Sequence, residues 1–371
     1  MFHVKHPVRW IVGMALATVL LTGVACGRVS KPNGWAGPAD AGNDVMLLHT
    51  ERGSIAAVRV SDSGSATLWT FPGDNDDRKY QGFYATPVVD RQGARPRVLL
   101  ASYSGHVVSL DLETGAPAAG WPEKVDVGGH IVATPVLAGE VLYVANGRGE
   151  VRTVNTASGI VSAPILDAAD RIWGAPALAG GVLFIGSLDG KLRAVAPDGA
   201  ERWSKGVGGA IAGDIAVDGD TVYAGTLESR VVALDAATGD ERWHFDGNNW
   251  FWARPLVTSE TVYASTALGT VYAVNRADGQ KRWESSPGSA EVHASPVLVG
   301  GMLVIADRDG IVYGLDPANG TKLWQQQQPG ERFFADPLVL ESAIFYLSQD
   351  GTLVRVRPQD QGALSVVYRR G

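Results

Sequence analysis

The sequence predicts an all-β chain folded as an eight-bladed β-propeller of four-stranded antiparallel blades. Three observations predict it. VVALDAATGDERW, residues 231–243, is rewritten as AVNRADGQKRW ending at Trp283, GLDPANGTKLW ending at Trp324 and, more loosely, AVAPDGAERW ending at Trp203. A second landmark is a small residue, a spacer and a proline opening a short apolar strand. It recurs at Pro38, Pro87, Pro135, Pro176, Pro255, Pro296 and Pro337, and IAGDIAV reads as an eighth copy with Asp214 in the proline's place. Finally, no stretch carries a helical period. Four short strands cannot bury both faces of one sheet, so units repeating every ~41 residues must stack around an axis.

Within each unit the elements follow in a fixed order. The proline strand is succeeded by an apolar one, such as VLYVAN, VLFIGS, TVYAGT, TVYAST or MLVIAD. A tight turn comes next, with Gly105, Gly190, Gly310 and Gly351 each preceded by Ser or Asp, residues that enter positive φ at low cost. The third strand alternates, as in KLRAVA and TVYAVN. It ends in Asp111, Asn155, Asp235, Asn275 or Asp316, four residues before Gly115, Gly159, Gly239, Gly279 or Gly320. A short polar side chain there bonds nearby backbone N–H groups and closes the turn, leaving glycine the left-handed position. The fourth strand carries Trp69, Trp121, Trp203, Trp243, Trp283 or Trp324. Each indole is expected to cover the neighbouring blade, burying on the order of 150–250 Å². Blades three and eight have Ala163 and Val366 at or near that place, so weaker docking is expected there.

Residues 1–25 read as a leader rather than fold. Lys5 and Arg9 precede an apolar run at 10–24, too short for a comfortable membrane span. The run ends Thr22-Gly23-Val24-Ala25-Cys26, which resembles a bacterial lipobox and implies that Cys26 receives the lipid and becomes the mature N-terminus. A short linker at 26–33 then leads to the propeller at 34–371. Cys26 is the one cysteine, so packing and not disulfides must hold the fold. Without the leader's two basic residues the formal charge falls from −7 to −9, and no Lys/Arg-rich run occurs. Such a chain repels phosphate backbones, which argues against nucleic-acid binding. The expected location is the cell envelope, on an outer membrane facing the periplasm or on the outer face of the cell membrane. Gly27 follows the cysteine where an inner-membrane-retained lipoprotein would carry aspartate.

No nucleophilic or metal motif stands out. His130 and His293 open innermost strands, and Asp214, Arg254 and Asp336 lie near strand starts. Such a set suits acid–base chemistry or a cation, or is simply solvated in a wet channel. The Asp-Gly turns lack EF-hand ligand spacing. The residues opening the inner strands are Trp35, Tyr84, Val132, Trp173, Ile211, Trp252, His293 and Phe334, five of them aromatic in a chain that is 8% aromatic. Blade symmetry should gather them at one channel mouth. Two readings stay open: a rim that binds a planar ligand or a partner's apolar residue, with Arg254 beside it, or a hydrophobic plug. NNWFW at 248–252 is the densest aromatic patch.

The motif Ala-Leu-Asp-x-x-Thr-Gly-x-x-x-Trp at 233–243 resembles the tryptophan-docking repeat of pyrroloquinoline-quinone-type propellers, and the similarity runs through nearly all of the mature chain. The resemblance implies one of two branches. Quinoprotein alcohol dehydrogenases hold the quinone, with a calcium ion, beneath a disulfide between adjacent cysteines. One cysteine cannot form that roof, so no cofactor is expected. The other branch includes lipoproteins of the machine that assembles outer-membrane β-barrels, similar in architecture, length and lipobox. No counterpart of the loop with which they grip their partner stands out in this chain. The expected function is therefore a non-enzymatic, monomeric, lipid-anchored scaffold with an envelope protein partner. The alternatives are a small-molecule binding or sensing module and a quinone-dependent dehydrogenase.

Overall fold

Among the described residues, thirty-two strands fall into eight four-stranded antiparallel sheets, each made of four strands consecutive in the chain. The structure is a computed structural model that describes residues 34–62, 64–73, 80–92 and 95–369. The blades span 39–71, 88–126, 136–167, 177–206, 216–246, 256–285, 297–327 and 338–368. Blade five shows the construction, with strands Ala216–Asp218, Thr221–Gly225, Arg230–Asp235 and Glu241–Asp246. Ala216 pairs with Tyr223, Tyr223 with Ala233, and Ala233 with Trp243. Every residue of Thr221–Gly225 is buried, because the middle strands have a neighbouring blade on both faces. This is why they read as unbroken apolar runs rather than alternating ones.

The tryptophan indoles lie against the turns of the neighbouring blades. The Trp243 indole is 6% exposed, and its N–H donates to the carbonyl of Arg276 in blade six at 2.8 Å. Trp69, Trp121, Trp203 and Trp283 make the same bond to Leu112, Thr156, Ala236 and Pro317, each one residue past the turn Asp or Asn of the next blade. The indole also lies flat on the turn glycine. Gly279 has φ +71°, and a methyl placed on it would sit 2.7 Å from the Trp243 ring. Glycine is thus required twice over, for backbone conformation and for close approach. Asp235 closes its turn by accepting the N–H groups of Ala237 and Thr238 at 2.9 and 3.0 Å.

Some blades depart from this scheme. Trp121 lies in the bend before the two-residue strand Val125–Asp126, not on a strand, yet docks like the rest. Trp324 covers Gly362 of blade eight, but its N–H points to Met302 Sδ within its own blade at 3.4 Å. At the seam between blades three and four Ala163 is exposed, and Ile165 occupies the space over the turn glycine Gly199. At the seam that closes the ring Val366 is 40% exposed. Tyr368, Phe345 and Leu353 pack there against Met46, Leu48 and Val58 of blade one. Arg355 stands where blade five has Ala233 and reaches Asp62 of blade one at 2.7 Å. His49, fully buried at the same seam, contacts the carbonyls of Ala36 and Gln349 at 2.7 and 3.2 Å.

One expectation is corrected by the strand register. In blade five the residue in the proline's place is Ile215, directly before Ala216, and Asp214 aligns with the spacer that precedes the proline elsewhere. The residue equivalent to Trp173 is therefore Ala212, while Ile211 belongs to the core between blades four and five. An aspartate and an isoleucine are both compatible with the local pattern. Only the pairing of Ala216 with Tyr223 decides between them.

Candidate functional site at the channel mouth

The connectors that bring the chain from the outer strand of one blade to the inner strand of the next converge on one face, beside the turns between second and third strands. The aromatic residues that open the inner strands meet there. Trp173 and Trp252 approach to 6.2 Å between ring centroids, since the intervening blade offers only Ala212. Trp252 meets His293 at 5.5 Å, His293 meets Phe334 at 5.2 Å, Phe334 stacks on Trp35 at 5.9 Å, and Trp35 meets Tyr84 edge-on at 4.4 Å. All six are half-buried. Edge-to-face and offset contacts of this kind add roughly 0.5–1.5 kcal/mol per pair beyond area burial.

Residues from other segments extend the set. Tyr103, on a turn of blade two, meets Tyr84 at 4.9 Å and stacks on His130 at 4.3 Å. His130 thus lies in the connector, six residues before strand Val136–Ala138, and does not open that strand. The Arg171 and Arg308 guanidinium groups lie 5.0 and 4.5 Å from the Trp173 and Phe334 ring centroids. Glu291 pairs with Arg308 and with His293, whose pKa is nonetheless lowered because burial outweighs the carboxylate. Residue spacing carries no signal for Tyr103 or Arg308 as mouth residues. They arrive from turns that become neighbours only in the closed ring.

The spacers before the strand openers form a second layer. Thr86 Oγ1 accepts the Gly37 N–H at 3.1 Å, and Thr134 Oγ1 accepts that of Thr86 at 3.1 Å. Asp214 Oδ1 accepts the N–H of Ala175 at 2.6 Å. Ser295 Oγ accepts that of Arg254 at 3.0 Å, and Asp336 Oδ1 accepts that of Ser295 at 2.7 Å. Each bond ties a blade to its successor, so these polar groups clasp neighbouring blades. The Arg254 side chain is exposed in this second layer and makes no ring contact with the aromatic set. Asp214 is pushed up to about 6, first by burial and then by the charge of Asp336; the Ala175 N–H and Arg254 pull the other way.

No group of three or more His, Cys, Asp or Glu close enough to hold a metal ion occurs among the described residues. A separate cleft of about 370 Å³ opens at the opposite face between blades five and six. Its arginines, Arg242, Arg276 and Arg282, are matched by Asp220, Asp218 and Glu260. Cys26 lies outside the described residues.

Four-stranded blades, indoles laid on the next blade's turn glycine and a ring of eight define an eight-bladed propeller of tryptophan-docking repeats. The chain belongs to the family described as outer membrane protein assembly factor BamB, whose model matches residues 35–163 and 188–369. Over 125 residues it is 26% identical to the outer membrane protein assembly factor BamB of Burkholderia pseudomallei (strain K96243). That stretch covers 34% of this chain and 32% of the relative, so the match spans about a third of the relative's length. The crystal structure of BamB from Moraxella catarrhalis superposes with a TM-score of 0.70 at 22% identity, covering 90% of this chain and 98% of that one. The computationally designed Ika8 protein also reaches a TM-score of 0.70, at 15% identity over 87% of this chain and 95% of its own. At such identities the structural likeness establishes the fold alone.

Proposed function

We propose that this protein is a non-catalytic, lipid-anchored scaffold of the cell envelope that takes part in outer-membrane protein assembly. The observation that carries the reading is the match to the BamB family over most of the chain. The axis supports it, because Asp214, Ser295 and Asp336 are engaged in holding backbone N–H groups of adjoining blades. The lipobox at Cys26 supplies the anchor. Cys26→Ser is expected to leave the membrane fraction or to accumulate uncleaved, whereas wild type stays with the membrane. Wild type captured from native membranes is expected to bring down barrel-assembly components. Capture without them, from a correctly anchored protein, would sink the assembly role.

In the same reading the six mouth rings close the axis as a plug rather than stand open as a binding rim. Trp173→Ala and Trp252→Ala are each expected to cost about 1–3 kcal/mol, less than a fully buried aromatic because these rings are half-exposed. Thermal melting checks this. Unchanged melting together with lost partner capture would make the mouth a docking surface instead.

A further inference from the structure

Trp35, the second described residue, stands at the axis between Tyr84 of blade two and Phe334 of blade eight. The described chain therefore begins near the centre of the mouth face. Only residues 26–33 separate the lipid-bearing cysteine from Gly34. Eight fully extended steps reach at most about 29 Å. We infer that the mouth face is held against the bilayer and the opposite face, made of the Asp-x-x-Thr-Gly turns, points away from it. This rests on the anchor proposed above.

The reverse orientation fails on distance. Strands lie ~4.8 Å apart, so the outer strand of a blade sits roughly 14 Å beyond the inner one. A five-residue strand rises roughly 17 Å, the least separation between the two faces. A tether from Trp35 to a bilayer under the opposite face would have to run outward and then down, about 31 Å before any loop is counted. A route through the channel would have to pass the six contacting rings. An edge-on arrangement would consume half the tether in crossing the face. With the mouth toward the bilayer, none is consumed.

The mouth face is composed to suit that neighbour. Trp250 and Leu268 are 36% and 56% exposed and adjacent, the Ala267 N–H donating to the Trp250 carbonyl at 2.8 Å. An exposed indole beside leucine fits the interfacial zone, where Trp and Tyr concentrate. Arg171, half-exposed over Trp173, pairs with Asp170 at 3.2 Å. Asp170, Glu291 and Asp350 on this face are each paired with an arginine. Glu51, Asp126, Glu228 and Asp309 are exposed on the mouth face, and the opposite face carries the turn carboxylates Asp111, Asp235, Asp278 and Asp316, with Asp235 paired to Arg242, so carboxylates do not set the two faces apart.

The test uses the full lipidated protein in vesicles of phosphatidylethanolamine and phosphatidylglycerol. Leu268→Cys on the mouth face and Ile160→Cys on the opposite face, where Ile160 is 71% exposed, each carry one fluorophore; acylated Cys26 does not react. A spin-labelled headgroup lipid is expected to quench the Leu268→Cys label several-fold more than the Ile160→Cys label. Equal or reversed quenching on protein whose N-terminal peptide has the acylated mass overturns the orientation and leaves the anchor standing. An unacylated peptide overturns both.

Discussion

Trp243→Ala is expected to cost about 3–5 kcal/mol, the range for deleting a buried aromatic. The loss has identifiable parts. The indole is 6% exposed, lies on Gly279, contacts Tyr223 at 5.9 Å between centroids and donates to the Arg276 carbonyl. The Gly279 turn, with φ +71°, cannot collapse into the space without giving up its own bonds. Blades contact only their neighbours, so the damage should concentrate in blades five and six. Hydrogen exchange on 216–285 measures it. Trp324→Ala should do less, since that ring is half-buried and bonds within its own blade. Unchanged protection around 275–280 would mean that the tryptophan does not hold the seam.

Asp214→Asn is expected to stabilise the protein at neutral and alkaline pH. The folded-state pKa, about 6, is raised above the ordinary value of 3.8, so the native state holds this proton more tightly than the unfolded chain does. The contribution is favourable below about pH 4 and is lost as pH rises through 6. Asparagine removes the charge yet keeps an oxygen for the Ala175 N–H. The stability gap between variant and wild type should therefore widen by up to about 3 kcal/mol between pH 4 and pH 7, then level off. Denaturant titrations across that range check it. A gap independent of pH would show that Asp214 is not held against its charge in the channel.

The blade-docking tryptophans and their glycine turns were legible in the sequence because both signals are local. An apolar strand, an Asp or Asn four residues before glycine and a terminal Trp each fall within a dozen residues, as at 231–243. The mouth was legible only in part. Trp35, Tyr84, Trp173, Trp252, His293 and Phe334 share one place in the repeat, and symmetry alone predicts that they meet. Tyr103 and Arg308 hold no such place, and His130 lies earlier in the connector than the pattern implied. The spacer's role as a clasp was hidden too, since Thr, Ser and Asp before a proline look like ordinary turn chemistry.

By itself, then, the sequence determined the number of blades, the order of strands within them and the tryptophans at six of the seams, because these are written in a repeat of about forty-one residues. The tertiary structure alone decided which residue of blade five faces the mouth, how Ile165 and Arg355 serve the two seams that lack tryptophan, and that Asp214 feels Asp336 across the channel. The physical reason is the same in each case. The partners come from different blades, at separations of about forty residues or more, and local pattern does not encode a contact that exists only when eight blades close around one axis.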